Sequence, residues 1–241
     1  MRYVWLLALG CVACATPTGA TDSNDAQLVL REIGFMFPQQ LAEVERSITR
    51  TTYARLRAAE LGLEIDDGLV DQALNEMMAQ IKSGIDGSLE DWAQAEHATP
   101  FVKVREIYRQ HLYNNLLYRS VFVADAHRLP QIEVKVLANR RKDAVSDWLR
   151  ALELGQHPDG LGAATELMPQ WDSELYAPGS VMGPWQLPNR VWVIGRVMAV
   201  SPPLGALDSA EIQEKATNYK LSSFAAEVWI HEMSSRYTTS H

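Results

Sequence analysis

Apolar residues recur at helical spacing over residues 26–61: Leu28, Ile33 and Phe37, then Leu41, Val44, Ile48 and Leu56. Phe37-Pro38 breaks the run, so a longer helix is predicted over 39–61, closed by Gly62 just past its end. Asp66 or Asp67 can cap a second helix that carries Val70, Leu74, Met77, Met78 and Ile81 inward. Ser83-Gly84 and Asp86-Gly87 supply the turn that ends it. Ser88, with Asp91 three residues on, is an acidic form of the capping box and starts a short helix containing Trp92. Thr99-Pro100 then opens a long helix to about residue 123, with Val104, Ile107, Leu112, Leu116 and Leu117 on its inner side.

The period changes after Pro130. Residues 132–138 alternate and predict a strand, and 141–154 predict a helix with Ala144, Val145, Trp148 and Leu152 inward. Residues 155–180, punctuated by glycine and proline, read as loop. Residues 191–200 are strongly β-branched and predict a buried strand that Pro202-Pro203 terminates. Asp208 and Glu211 form a second acidic capping box for one last helix to about residue 236. The pattern is that of an α+β chain.

With 241 residues, the chain is long enough for one or two domains. A formal charge of −8, without a basic run, argues against nucleic acid as a partner. Only two cysteines occur, at Cys11 and Cys14, so the body offers no disulfide, thiolate zinc site or cysteine nucleophile. His97, His111, His127, His157, His231 and His241 are scattered without ligand spacing, and no metal or other cofactor is expected. The His157-Pro158-Asp159-Gly160 segment reads as a polar turn, with a catalytic histidine as the alternative. Met77 and Met78 read as core, with a groove for client chains as the alternative.

The start, MRYVWLLALGCVACA, has the form of an export signal. Arg2 precedes an apolar run over 3–9, too short to span a ~30 Å hydrocarbon layer. Ala8-Leu9-Gly10-Cys11 resembles the lipobox of bacterial lipoproteins, with Cys11 as the lipidated residue and Cys14 as the alternative; Ala13-Cys14-Ala15 would also serve as a plain cleavage site. Residues 1–15 are therefore expected to be the signal and 16–26 a flexible tether. The expected location is the cell envelope, lipid-anchored and facing the periplasm. Since no aspartate follows either cysteine, the outer membrane is favoured over the inner in a Gram-negative cell.

Residues 48–81, with Ala58-Ala59-Glu60-Leu61-Gly62-Leu63 and Val70-Asp71-Gln72-Ala73-Leu74, resemble the N-terminal helical module of SurA-type periplasmic chaperones. Ser88-Leu89-Glu90-Asp91-Trp92 and Val104-Arg105-Glu106-Ile107 continue the pattern. Residues 133–138 resemble the first strand of a parvulin-type (PpiC-type) prolyl isomerase domain, and 191–197 its last. Pro178-Gly179-Ser180-Val181-Met182-Gly183-Pro184 resembles that domain's P-G-x-x-S-x-P segment. The resemblance implies a helical module over 27–130 plus 208–237, closed by the C-terminal helix, and an inserted small parvulin-like domain over 131–203.

Active parvulins carry one histidine in the first strand and one in the last. The matching positions here are Lys135 and Trp192, and no histidine lies between Arg128 and Gly155 or between Gly160 and Val228. A lysine and a tryptophan cannot reproduce the hydrogen-bonded tautomers of an imidazole pair. The resemblance therefore implies a degenerate domain with no catalytic residues. Met182, Trp185, Gln186, Leu187 and Trp192 fall where the family's peptide site would be. They are candidates for an apolar peptide-binding surface, or for core that has filled a lost site. The expected function is a folding factor that binds unfolded or proline-containing exported polypeptides, with prolyl-isomerase activity weak or lost. The alternatives are an active isomerase with an atypical site and a non-catalytic partner in an envelope or secretion complex.

Overall fold

Among the described residues, four helices follow one another before the first strand: α1 (Pro38–Leu61), α2 (Asp67–Ser83), α3 (Leu89–His97) and α4 (Phe101–Arg128). They belong to a computed structural model that describes residues 38–156, 164–172, 175–187 and 189–238. The signal-like start, Cys11, Cys14, the tether, the first predicted helix and the His157 turn lie outside the described residues.

The local signals form as their chemistry requires. Gly62 adopts φ 65° past the end of α1, and the Leu63 amide reaches back to the Ala58 carbonyl at 2.9 Å. The Asp66 carboxylate accepts the Gly68 amide at 2.8 Å and caps α2. At α3, the Asp91 amide donates to Ser88 Oγ at 3.0 Å and the Ser88 amide donates to Asp91 Oδ2 at 3.3 Å, so the box closes in both directions.

The chain divides into two compact units between Tyr118 and Arg119, a boundary that falls inside α4. In the first unit, Leu74, Met78, Ala93, Val104 and Tyr108 form a buried cluster, with Met77, Ile81, Trp92, Phe101 and Leu112 packed against it. Met77 and Met78 are thus core. Arg109 on α4 ties down α2 by donating to Asp71 and Asp67, both at 2.7 Å. These two carboxylates raise the guanidinium above its ordinary value.

The second unit has a four-stranded antiparallel sheet: β1 (Gln131–Asn139), β2 (Ala164–Pro169), β3 (Val181–Gln186) and β4 (Trp192–Ser201), in the order β2-β1-β4-β3. Helix α5 (Lys142–Glu153) follows β1, and α6 (Ser209–Asn218) and α7 (Ser223–Thr238) follow β4. Mixed helix and sheet in this order make the molecule α+β.

Opposed residues in the ladder share a face. On one face, Leu137 and Ile194 pack with Val145 and Leu152 of α5, joined by Trp148, Val181 and Trp192. The other face meets α7. There the Phe224 ring lies tilted 5.9 Å from that of Trp185, and a Cβ on Gly195 would come within 2.7 Å of both Phe224 and Val134.

Four differences from the sequence pattern have physical causes. Helix α4 runs on to Arg128 because 121–126 is buried on every side, which erases the helical period there. Its last carbonyls are satisfied by Gln131, whose Nε2 reaches Ala126 O at 2.6 Å, and by the Gly205 amide on His127 O at 3.1 Å. The stretch read as loop contains β2, whose alternation is hidden because Glu166 points inward to bond Ser222 Oγ. Strand β3 holds Gly183 and a cis Pro184 at a bulge, features that read as breakers. The final helix is two, since Ser222 starts a new one by accepting the Ala225 amide at 3.0 Å.

Candidate functional site

The two positions that match the family's histidines lie on the central strands. Lys135 is exposed in β1, directly opposite Arg196 of β4, while Trp192 opens β4 opposite Asn139. Both face the α5 side of the sheet. They are separated by the four positions from Trp192 to Arg196, roughly 13 Å along the strand, so they do not form a pair.

The five candidate peptide-binding residues divide between the two faces. Met182 and Trp185, opposed to Gly195 and Val193, lie toward α7; Gln186 and Trp192, opposed to one another, lie toward α5. Met182 and Leu187 are buried, Trp185 and Trp192 half-buried, and Gln186 exposed. The Lys142 ammonium sits 4.8 Å from the centre of the Trp192 ring, a cation–π contact that holds the indole against α5.

What the pattern of residues did not single out is the part of the α5 face that α5 leaves bare. Two cross-strand rows lie there. One runs Thr165, Lys135, Arg196 and the other Leu167, Glu133, Ala199. Leu167 is 65% exposed, and Met198, the extra residue at the β-bulge beside Glu133/Val134, is 49% exposed. Leu204, just past Pro202-Pro203, is 67% exposed. The adjoining edge strand is β2. The opposite edge, β3, is blunted by Pro184 and a bulge, the usual protection against further strand pairing. The six residues of β2 end at Pro169 but contain no proline or bulge before it. No sequence signal marked this surface, since β2 itself was hidden.

Among the described residues, no group of three His, Cys, Asp or Glu side chains is placed to hold a metal ion, and no helix is long and apolar enough to cross a membrane.

No family model matches the chain. No curated protein matches its sequence. Among solved structures, the chain is similar to the foldase protein PrsA from Streptococcus pneumoniae str. Canada MDR_19A, at 11% identity and a TM-score of 0.30, over 88% of this chain and 90% of that one.

Proposed function

We propose that this protein is an exported, lipid-anchored folding factor that holds unfolded or partly folded envelope and secreted polypeptides, with prolyl-isomerase activity weak or lost. The reading takes the sheet of the second unit as a degenerate parvulin-like domain. The single observation that carries it is the bare, partly apolar half of the sheet beside an unblunted edge strand. An extended client lying along β2 would gain main-chain hydrogen bonds. Its alternate side chains would cover Leu167 and the stems of Lys135 and Arg196, on apolar surface that otherwise stays in water. Binding of this kind needs neither cofactor nor nucleotide, and it keeps the client's unfolded state from aggregating. The absence of an imidazole pair at Lys135 and Trp192 supports the loss of catalysis.

The test is light scattering of a thermally unfolded exported protein with and without the chain. Suppression is expected, weakened severalfold by Leu167→Glu. No suppression at molar excess over client would overturn the reading. Prolyl exchange on a short X-Pro peptide is expected at the uncatalysed rate.

A further inference from the structure

The ladder phase of β2 fixes which of its groups a client meets. The Gln170 amide donates to Pro130 O at 2.8 Å, one step past the Gln131–Pro169 pair, so Pro130 and Gln170 face each other as a hydrogen-bonded pair. Such pairs alternate along an antiparallel ladder. Ala164, Glu166 and Met168 therefore spend their backbone groups on β1, while the N–H and C=O groups of Thr165 and Leu167 point away from the sheet. The side chains of Thr165 and Leu167 stand on the α5 side, opposite Lys135 and Glu133. The two residues that would bond a client's backbone are thus the two whose side chains its own would meet.

The two rows differ in charge. Behind Thr165 stands Lys135, exposed and directly opposite a second cation, Arg196, an arrangement in which like charges repel. Arg196 is half-buried and already engaged, which leaves Lys135 as the cation facing the edge. Behind Leu167 stands Glu133, the one acid among the described strand residues of this face, and no ion pair joins it to Lys135 among the described residues. The last turn of α5 carries one charge of each sign, Arg150 and Glu153. A client residue opposite Thr165 would lie roughly 10 Å from Lys135, two strand spacings away, a gap that a lysine and a glutamate side chain close over the short threonine. A client residue opposite Leu167 would meet the exposed leucine and then Glu133, which disfavours an acid there. Every pair in this sheet is antiparallel, so a client added in kind runs antiparallel to β2. From this we infer that the β2 edge selects extended segments that read apolar-x-acidic from N to C, with the apolar residue opposite Leu167 and the carboxylate opposite Thr165, beside Lys135. The inference rests on the client-holding reading of the same edge.

The experiment uses the chain with its signal removed and reads binding of labelled peptides by fluorescence anisotropy. The probes are the blocked heptapeptide Ser-Val-Leu-Thr-Glu-Val-Ser, the same peptide with lysine in place of glutamate, and one with the leucine and glutamate exchanged. The glutamate peptide is expected to bind roughly threefold to tenfold tighter than the lysine peptide at low salt. The gap should narrow at ~1 M salt, where the screening length falls to ~3 Å. Lys135→Glu should invert the order, and Lys135→Met, which keeps the apolar stem, should level it. Lys135 is exposed, so both variants keep the core; near-ultraviolet circular dichroism checks that. Equal binding of the glutamate and lysine peptides, tighter binding of the exchanged peptide, an order unchanged in Lys135→Glu, or no binding of any peptide would overturn the inference. Client holding is read separately by light scattering. Suppression of aggregation with equal peptide binding would sink the charge selection and leave the folding-factor reading standing; selective peptide binding without suppression would do the reverse.

Discussion

The two units bury charged groups of opposite sign. In the first, the buried polar residues, Arg57 and His97, are bases. His97 is 3% exposed and edge-on to Trp92 at 5.0 Å, and its Nε2 has no hydrogen-bond partner among the described residues. The ties between its helices, such as Arg109 to Asp67 and Asp71, lie near the surface, where ion pairs contribute little. In the second, the buried charged members are two acids, each held by an aromatic donor far away in sequence. Asp125 accepts Trp171 across 46 residues, and Glu232 accepts Tyr176 across 56. The first unit is built from local signals over an apolar cluster. The second is pinned by long-range bonds in a low-dielectric interior, where losing one partner strands the other.

Breaking the second unit at its centre should have the largest effect. Phe122 is fully buried, edge-on to Trp171 and 5.6 Å from Tyr219. Phe122→Ala should cost about 3–5 kcal/mol in denaturant unfolding, with the near-ultraviolet signal of the second unit lost first. Gly195→Ala should follow at about 1–3 kcal/mol, because the new methyl meets Phe224 and Val134, both buried and unable to yield. If Gly195→Ala were neutral, α7 would not press on the sheet as described.

The same contrast decides how much could be read from residues alone. The caps of α2, α3 and α6 were legible, since each is a carboxylate or hydroxyl two or three positions from the amide it accepts. So were β1, α5 and β4, whose apolar periods are clean. Strand β2 was not legible. Its inward residue, Glu166, is satisfied by Ser222 across 56 positions, and no local rule announces such a bond. The bare half of the sheet was hidden with it, because exposure of Leu167 follows from where α5 stops. The bond from Tyr176 to Glu232 was equally invisible, since the two meet only through the fold.

Acid should separate the two units next. Burial lowers His97 and, helped by the nearby Arg50 charge, His111 from the ordinary value of 6.5. As pH falls below 6.5, the unfolded chain takes up these protons before the folded one does, so the first unit loses stability. Glu232 is raised from 4.5, chiefly by burial. Its contribution is full below 4.5 and is lost as pH rises through its folded value. Moving from pH 7 to pH 5 should therefore weaken protection of α3 and α4 amides before Tyr118 while strengthening that of α7. Hydrogen exchange corrected for intrinsic rates measures both. His97→Phe should flatten the first trend and Glu232→Gln the second; a common trend in both units would erase the contrast.

The smallest effect gives the sharpest comparison, because the same device occurs once in each unit. Ser88 and Asp91 box the start of α3, and Asp208 and Glu211 box the start of α6. In each, the cap side chain accepts the amide three residues on, at 3.0 Å for Asp91 and 2.9 Å for Glu211. Removing a cap of this kind costs ~1 kcal/mol wherever it occurs. Ser88→Ala and Asp208→Ala should thus lower stability by similar amounts, but in different places. Ser88→Ala should speed exchange in α3 and its neighbours, including the α4 amides around Tyr108, and leave β1 and β4 unchanged. Asp208→Ala should do the reverse. If either substitution loosened both sets of amides equally, the boundary between Tyr118 and Arg119 would not separate two cooperative units, and the acid contrast would have to be read as a property of one folding unit.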